Sequence, residues 1–187
     1  MKRFPCYVAL SMLVLTGCST AATQTPMPGA RQPGLTLTSP VFNPGASIPK
    51  KYSCQGENLS PALAWSGAPQ GTQSFALILD DPDAPLGTFV HWVIYNLPAS
   101  LSGLPEGAST AKSPAANLPQ DTVQGKGSFG RAGYGGPCPP TGTHRYFFHL
   151  YALDTPFTTT GMDKAALLKA MAGHILAQTE LMGTYKK

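Results

Sequence analysis

The chain has 187 residues, of which 42% are hydrophobic and 12% are charged, which is typical of a globular protein and not of a disordered one. Its 20 glycines and 19 prolines argue against an all-helical fold and predict long irregular loops. The formal charge of +4 falls by two if Lys2 and Arg3 are cleaved off, and no basic cluster remains, so nucleic-acid binding is not expected.

Residues 1–17 have the features of an export signal. A short positive start precedes the apolar segment from Tyr7 to Leu15, which is too short to span a bilayer. The following Leu-Thr-Gly-Cys resembles a bacterial lipobox and implies cleavage before Cys18, whose sulfur then carries a diacylglycerol. The alternative is an ordinary secretory signal with an incidental cysteine.

Ser19 stands where an aspartate is expected to retain a lipoprotein in the inner membrane. We therefore predict a lipid-anchored protein of the bacterial cell envelope, placed on the outer membrane and facing the periplasm. In that exported compartment the two remaining cysteines of the mature chain, Cys54 and Cys138, are predicted to form a disulfide. The alternative is two free thiols, because the sequence does not give the distance between them.

Residues 18–34 are rich in Thr, Pro and Gly, have no apolar period, and are predicted to be a flexible tether. The folded domain is predicted over residues 35–187. Apolar and alternating segments predict its strands, separated by turns; they are Leu35–Thr38, Ala62–Trp65, Ser74–Leu79, Val90–Leu97 and Arg145–Leu153.

The C-terminal part changes character. Residues 163–172 contain good helix formers with an apolar stripe, and residues 174–182 are predicted to form a second short helix that stops at Gly183. Strands followed by helices indicate a predominantly β member of the α+β class, a β-sandwich with short C-terminal helices.

Two histidines begin two of the predicted strands, each directly after a turn-rich loop. Alternation along a strand places His144 and Tyr146 on one face, and His91, Val93 and Tyr95 on one face of the other strand. If the strands are neighbours, the two histidines share a cavity with Asp81 and Asp83. The backbone N–H groups of Gly135 and Gly136 would suit an anion there. The alternative is that these are ordinary strand-end histidines and turn aspartates.

The stretches DPDAPLGTFVHWVIYNLP (81–98) and GYGGPCPPTGTHRYFFHLYALD (133–154) resemble the two signature motifs of the phosphatidylethanolamine-binding protein family. The segment YSCQGENLSP (52–61) and the C-terminal residues 173–185 resemble the bacterial branch of that family. The resemblance implies a β-sandwich with a small pocket for phosphate, acetate, cacodylate or a phospho-headgroup. It also implies a cis Ala84–Pro85 bond. The cysteine in GGPCPP is a departure from the eukaryotic motif.

Carried over by motif, the resemblance implies a pocket lined by Asp81, His91 and His144 with Tyr146 nearby, and a rim of Gly136, Pro137 and Pro139. We therefore predict a membrane-anchored binding protein for small anionic or phosphorylated ligands, with no catalytic activity, cofactor or metal. One alternative is an inhibitor or regulator of an envelope protease or another protein partner. The other is an enzyme with a metal held by Asp81, His91 and His144, since Ser128 lacks a nucleophile-elbow sequence.

Overall fold

The structure, a computed structural model, describes Met1 and residues 34–110, 112–113 and 117–187. The predicted signal peptide, Cys18 and nearly all of the predicted tether lie outside the described residues. The described strands are β1 (Thr36–Thr38), β2 (Leu63–Ser66), β3 (Ser74–Asp81), β4 (Phe89–Pro98), β5 (Gly103–Leu104), β6 (Val123–Gln124), β7 (Thr143–Leu153) and β8 (Ile175–Lys186), and helix α1 spans Lys164–Met171.

The strands form two antiparallel sheets. The smaller has the order β1-β2-β5, and the larger has the order β6-β4-β3-β7-β8. Strand β3 lies at the centre of the larger sheet, and all eight of its residues are buried, as its continuous apolar sequence predicts. Because β3 runs antiparallel to both β4 and β7, its C-terminal end lies beside the beginnings of those two strands.

The hydrophobic core has two parts. The larger part lies between the sheets, where Leu37 and Trp65 of the small sheet join the inner residues of the large one, such as Leu79 and Phe148. The second part covers the outer face of the large sheet and includes Leu167 of the helix. The described chain is therefore a β-sandwich with one helix packed outside it, which confirms the predicted fold class.

Helix α1 begins at Asp163, whose carboxylate accepts a hydrogen bond from the backbone N–H of Ala166 at 2.9 Å. Leu167 and Met171 are the buried residues of its inner face. The helix predicted over residues 163–172 is thus confirmed. Among the described residues, no helix has both the length and the apolar character needed to cross a bilayer.

The second predicted helix is wrong. Residues 175–186 form β8, which pairs with β7 from Leu153–Ile175 at one end to Thr143–Lys186 at the other. Its residues have reasonable helix propensity, but the long ladder with β7 outweighs that weak local preference. Toward its end Leu181, Gly183 and Tyr185 alternate inward. Gly183 does not stop a helix; a Cβ there would lie 2.7 Å from Ile48.

Candidate functional site

The candidate site lies where three neighbouring strands of the large sheet meet. Asp81 ends β3, His91 lies near the start of β4, and His144 is the second residue of β7. All three are buried, although they are distant in sequence. Asp81 and His91 line one cavity of about 250 Å³. Asp81 and His91 therefore meet at one cavity, whereas His144 is absent from its described lining and contacts Asp81 instead.

His91 reaches this cavity because β4 contains a β-bulge. Trp92 pairs with Leu79 and Val90 pairs with Asp80, so His91 is the extra residue between two paired positions. Its ring lies 5.2 Å from that of Tyr146, centroid to centroid, on the inner side of the sheet. Val93 packs in the outer cluster. The prediction that His91 shares a face with Val93 and Tyr95 is therefore wrong.

The loop before β7 fixes the His91 ring. Its Nδ1 donates to the carbonyl oxygen of Gly135 at 2.8 Å, and the N–H of Gly135 donates to the carbonyl of His91 at 3.1 Å. This leaves Nε2 as the ring nitrogen for a ligand. Burial lowers the pKa of His91 below its ordinary value, and the Gly135 carbonyl and the Asp81 charge oppose that effect only in part. The ring is therefore neutral at pH 7 when the cavity is empty.

Asp81 is held by two donors. Nδ1 of His144 donates to one carboxylate oxygen at 2.7 Å, and the backbone N–H of Asp83 donates to the other at 2.8 Å. Asp83 in turn accepts from Nε and Nη2 of Arg145 at 2.9 and 2.7 Å, in a bidentate pair that ties the loop to β7. His144 therefore contacts Asp81 and does not itself line the cavity. Asp83 also lies outside the lining and holds the loop in position.

Tyr146 carries a buried hydroxyl that makes no hydrogen bond to any described residue at normal geometry. Burial, together with the nearby charge of Asp81, raises the pKa of Tyr146 well above its ordinary value. The phenol therefore stays protonated at neutral pH and keeps a hydrogen that it can donate. Buried polar groups are nearly always paired. Because the Tyr146 ring contacts that of His91, which lines the cavity, this hydroxyl is a candidate donor to an oxygen atom of a ligand.

The glycine and proline loop lies differently from the predicted rim. Cys138 and Pro140 line the cavity, whereas Gly136, Pro137 and Pro139 are buried and are absent from its described lining. The N–H of Gly136 donates to Oδ1 of Asn58 at 2.7 Å. Since the N–H of Gly135 is also bonded within the protein, the expected pair of free glycine amides is not present.

The predicted disulfide is confirmed. Cys54 and Cys138 are bonded across a separation of 84 residues, with their Cα atoms 5.4 Å apart. The N–H of Cys54 also donates to the carbonyl of Pro137 at 3.1 Å. The disulfide therefore fixes one wall of the cavity to the short 3-10 turn at Lys50–Tyr52.

Comparison with known proteins identifies the family to which this chain belongs. Residues 38–186 match the family described as Phosphatidylethanolamine-binding protein. The chain belongs to the phosphatidylethanolamine-binding protein family. A UPF0098 protein of Methanothermobacter thermautotrophicus is 47% identical over 154 residues, covering 82% of this chain and 99% of that protein. A UPF0098 protein of Chlamydia trachomatis is 46% identical over 157 residues, covering 81% and 98%.

Solved structures agree with the family assignment. A putative phosphatidylethanolamine-binding protein homologue from Chlamydia trachomatis matches with a TM-score of 0.74 and 45% identity, over 82% of this chain and 98% of that one. YbcL of E. coli, described as a member of the mammalian family, matches with a TM-score of 0.76 and 34% identity, over 83% and 99%. The fold of this phosphatidylethanolamine-binding protein family member is thus shared with solved relatives.

Two aromatic residues of this family member complete the cavity and were missed by the sequence analysis. Phe89 and Phe129 stand edge to face with ring centroids 4.8 Å apart, and both contact the His91 ring. Phe129 is 40% exposed although it is a large apolar residue. Its position between glycines, in GSFGR, is the sequence signal that could have identified it.

Three further observations bear on the predictions. Among the described residues no peptide bond is cis, so the expected cis Ala84–Pro85 bond is wrong, although both residues line the cavity. No group of three or more His, Cys, Asp or Glu side chains in the described ranges is arranged to hold a metal ion. A larger cavity of about 450 Å³ lies beside α1, but His91 and Asp81 line the smaller one.

Proposed function

We propose that this family member binds a small anionic or phosphorylated ligand in the cavity between Asp81, His91 and the disulfide, and that it does so without catalysing a reaction. The observation that carries the proposal is the unused hydrogen-bonding capacity beside the cavity. The rings of His91 and Tyr146 are in contact, and Nε2 of His91 and the hydroxyl of Tyr146 make no hydrogen bond of normal geometry to a described residue. The phenol donates at neutral pH, and Nε2 donates once the imidazole is protonated.

Charge at the site sets the binding chemistry. Asp81 is compensated by the hydrogen bonds that it accepts from His144 and from the Asp83 backbone, but its charge still disfavours an anion alone. Protonation of His91 adds the missing positive charge, and a bound anion stabilises that protonated form. The ligand is therefore expected to bind together with a proton.

The surrounding walls favour a compact ligand. Apart from Asp81 and His91, the lining consists of apolar groups; these are Ala84, Pro85, Phe89, Phe129, Cys138 and Pro140. Such walls exclude water and strengthen the few polar contacts. The prolines and the hydrogen bonds that anchor the loop at Cys54 and Gly136 hold the wall in place before binding, which reduces the ordering cost.

The test is a titration with inorganic phosphate and with phosphoethanolamine, followed by the ring signals of the four histidines in NMR spectra. The His91→Asn variant keeps a donor for the Gly135 carbonyl but removes Nε2, so we expect its affinity to fall at least tenfold. His174→Asn is the matched control, since His174 is exposed and pairs with Asp154 away from the cavity. Unchanged His91 signals at saturating ligand would refute the proposal.

The proposed location is the envelope, with a lipid on Cys18 as the membrane partner. Support comes from the lipobox-like Leu-Thr-Gly-Cys sequence and from a disulfide that suits an oxidising compartment. Labelling cells with radioactive palmitate tests it. The wild-type chain should incorporate the label and the Cys18→Ser chain should not; equal labelling of both would refute the anchor. Fractionation of the labelled protein then tests placement on the outer membrane, which Ser19 favours.

A further inference from the structure

A second cavity lies on the other face of the sheet from the candidate site. It has a volume of about 450 Å³, which is within the range of small-molecule sites. Its lining comes from the start of β4, the segment 126–128 and the first part of α1. Thr88 and Val90 face this cavity, whereas Phe89 and His91 face the other, so one stretch of β4 separates two distinct cavities.

The floor of this second cavity is apolar. Val90, Ala165 and Leu168 line it, and Leu168 remains 36% exposed although it lies on a helix packed against the sheet. Val90 also packs against the outer core. An exposed apolar floor of this kind favours the hydrocarbon part of a ligand.

The charged residues of the described lining are Lys126, Asp163 and Lys164. Asp163 is occupied in capping α1, and Lys164 is hydrogen-bonded to the buried carboxylate of Asp80. The side chain of Lys126 makes no ion pair or hydrogen bond with any described residue. The described lining thus contains two lysines and one aspartate, and its formal charge is +1.

A hydroxyl group lies beside that cation in sequence. Oγ of Ser128 accepts a hydrogen bond from the backbone N–H of Val90 at 2.9 Å, which keeps its own hydrogen available for donation. Thr88 supplies a second hydroxyl to the lining. The cavity thus combines an apolar floor with a lysine and hydroxyl donors, which is the pattern of a site for an anion that carries a hydrocarbon chain.

We infer that this second cavity binds a single-chain anionic amphiphile of the fatty-acid class, with its chain on Val90 and Leu168 and its carboxylate on Lys126 and Ser128. This site is separate from the anion site on the inner side of the sheet. Charge complementarity selects a carboxylate head over a cationic one.

The test uses decanoate below its micelle concentration and decyltrimethylammonium, which has the same chain length and the opposite charge. The full chain carries Cys18→Ser so that no detergent is needed. Isothermal titration gives the affinities, and NMR follows the methyl groups of Val90 and Leu168. We expect decanoate to shift both methyl groups and to bind at least fivefold more tightly than decyltrimethylammonium.

Matched variants separate the cavity from the surface. Ala165→Phe fills the cavity and should weaken decanoate at least tenfold. Ala166, one residue further on the same helix, is also exposed, and Ala166→Phe should change the affinity for decanoate less than twofold. Lys126→Glu should weaken the binding of decanoate at least fivefold and strengthen the binding of decyltrimethylammonium. Lys112 is exposed and lies outside the lining, so Lys112→Glu should change neither affinity.

Four outcomes would overturn the inference. The first is equal binding of the two amphiphiles, and the second is equal effects of Ala165→Phe and Ala166→Phe. The third is a wild-type chain that sediments as a dimer and becomes a monomer in Ala165→Phe, because the cavity would then be covered by a second copy. Shifts of His91 without shifts of Val90 would place decanoate in the anion cavity and would also refute the second site.

Discussion

Removing the disulfide should lower stability while leaving ligand affinity almost unchanged. The bond between Cys54 and Cys138 closes a loop with a separation of 84 residues. In the chain-entropy treatment, a loop of that length destabilises the unfolded chain by about 4.5 kcal/mol at 25 °C. The double variant Cys54→Ser/Cys138→Ser is therefore expected to lose about 4–5 kcal/mol of unfolding free energy.

The folded site should keep its shape in that variant. The N–H of Cys54 still donates to the Pro137 carbonyl at 3.1 Å, and the N–H of Gly136 still donates to Asn58 at 2.7 Å. These bonds hold the loop from the same side as the disulfide. Phosphate affinity should consequently change by less than about threefold, well under the 1.4 kcal/mol that corresponds to a factor of ten.

The assay is urea unfolding monitored by tryptophan fluorescence, extrapolated linearly to water, with phosphate affinity measured on the same samples. Both proteins are produced without residues 1–18, so that the wild-type protein has no cysteine besides Cys54 and Cys138 and the double variant has none. Reduced wild-type protein is the control and should reproduce the stability of the double variant. A loss below about 1 kcal/mol, or a tenfold fall in affinity with the fold intact, would refute the reasoning.

Three other predictions follow from the site. Gly136→Ala should cost about 1–3 kcal/mol in urea unfolding, because its Cβ would lie 2.1 Å from the backbone oxygen of Tyr52; wild-type stability would contradict this. Arg145 lowers the pKa of Asp83 from 3.8 to about 2, so their pair stabilises the fold above about pH 4 and is lost as pH falls toward 2. A midpoint near pH 4 for the Asp83 carboxyl group in an NMR titration of the wild-type protein would contradict this prediction. Phosphate binding should take up a proton on His91, seen as a buffer-dependent heat of binding; buffer-independent heat at pH 7.5 would exclude it.

Much of the fold follows from local patterns. The buried run of β3 and the alternation in β7 identify the centre of the large sheet, and the cap at Asp163 marks the start of α1. Strand β8 was not predicted, because residues 175–182 have a composition compatible with a helix and become a strand only by pairing with β7. That pairing is non-local, so no short window of sequence contains it.

The site was partly predictable for a similar reason. Asp81 and His144 lie at ends of predicted strands that are neighbours in the antiparallel sheet, and they are hydrogen-bonded in the structure. The loop residues were harder, because the side of an irregular loop that faces a cavity is set by its anchors. Here the bond from Gly136 to Asn58 turns Pro137 inward and leaves Cys138 on the cavity.

The position of His91 depends on a feature that a single strand's sequence does not specify. A bulge is one extra residue in one of two paired strands, so it can be recognised only when β4 is aligned with β3. The bulge would leave the His91 carbonyl without a ladder partner, and the N–H of Gly135 supplies one while its carbonyl accepts from the ring. A Cβ on Gly135 would lie 2.2 Å from the Phe129 ring that closes the cavity. The glycine and proline loop therefore does three things through Gly135. It stabilises the bulge, it orients the His91 imidazole, and it leaves room for the Phe129 ring.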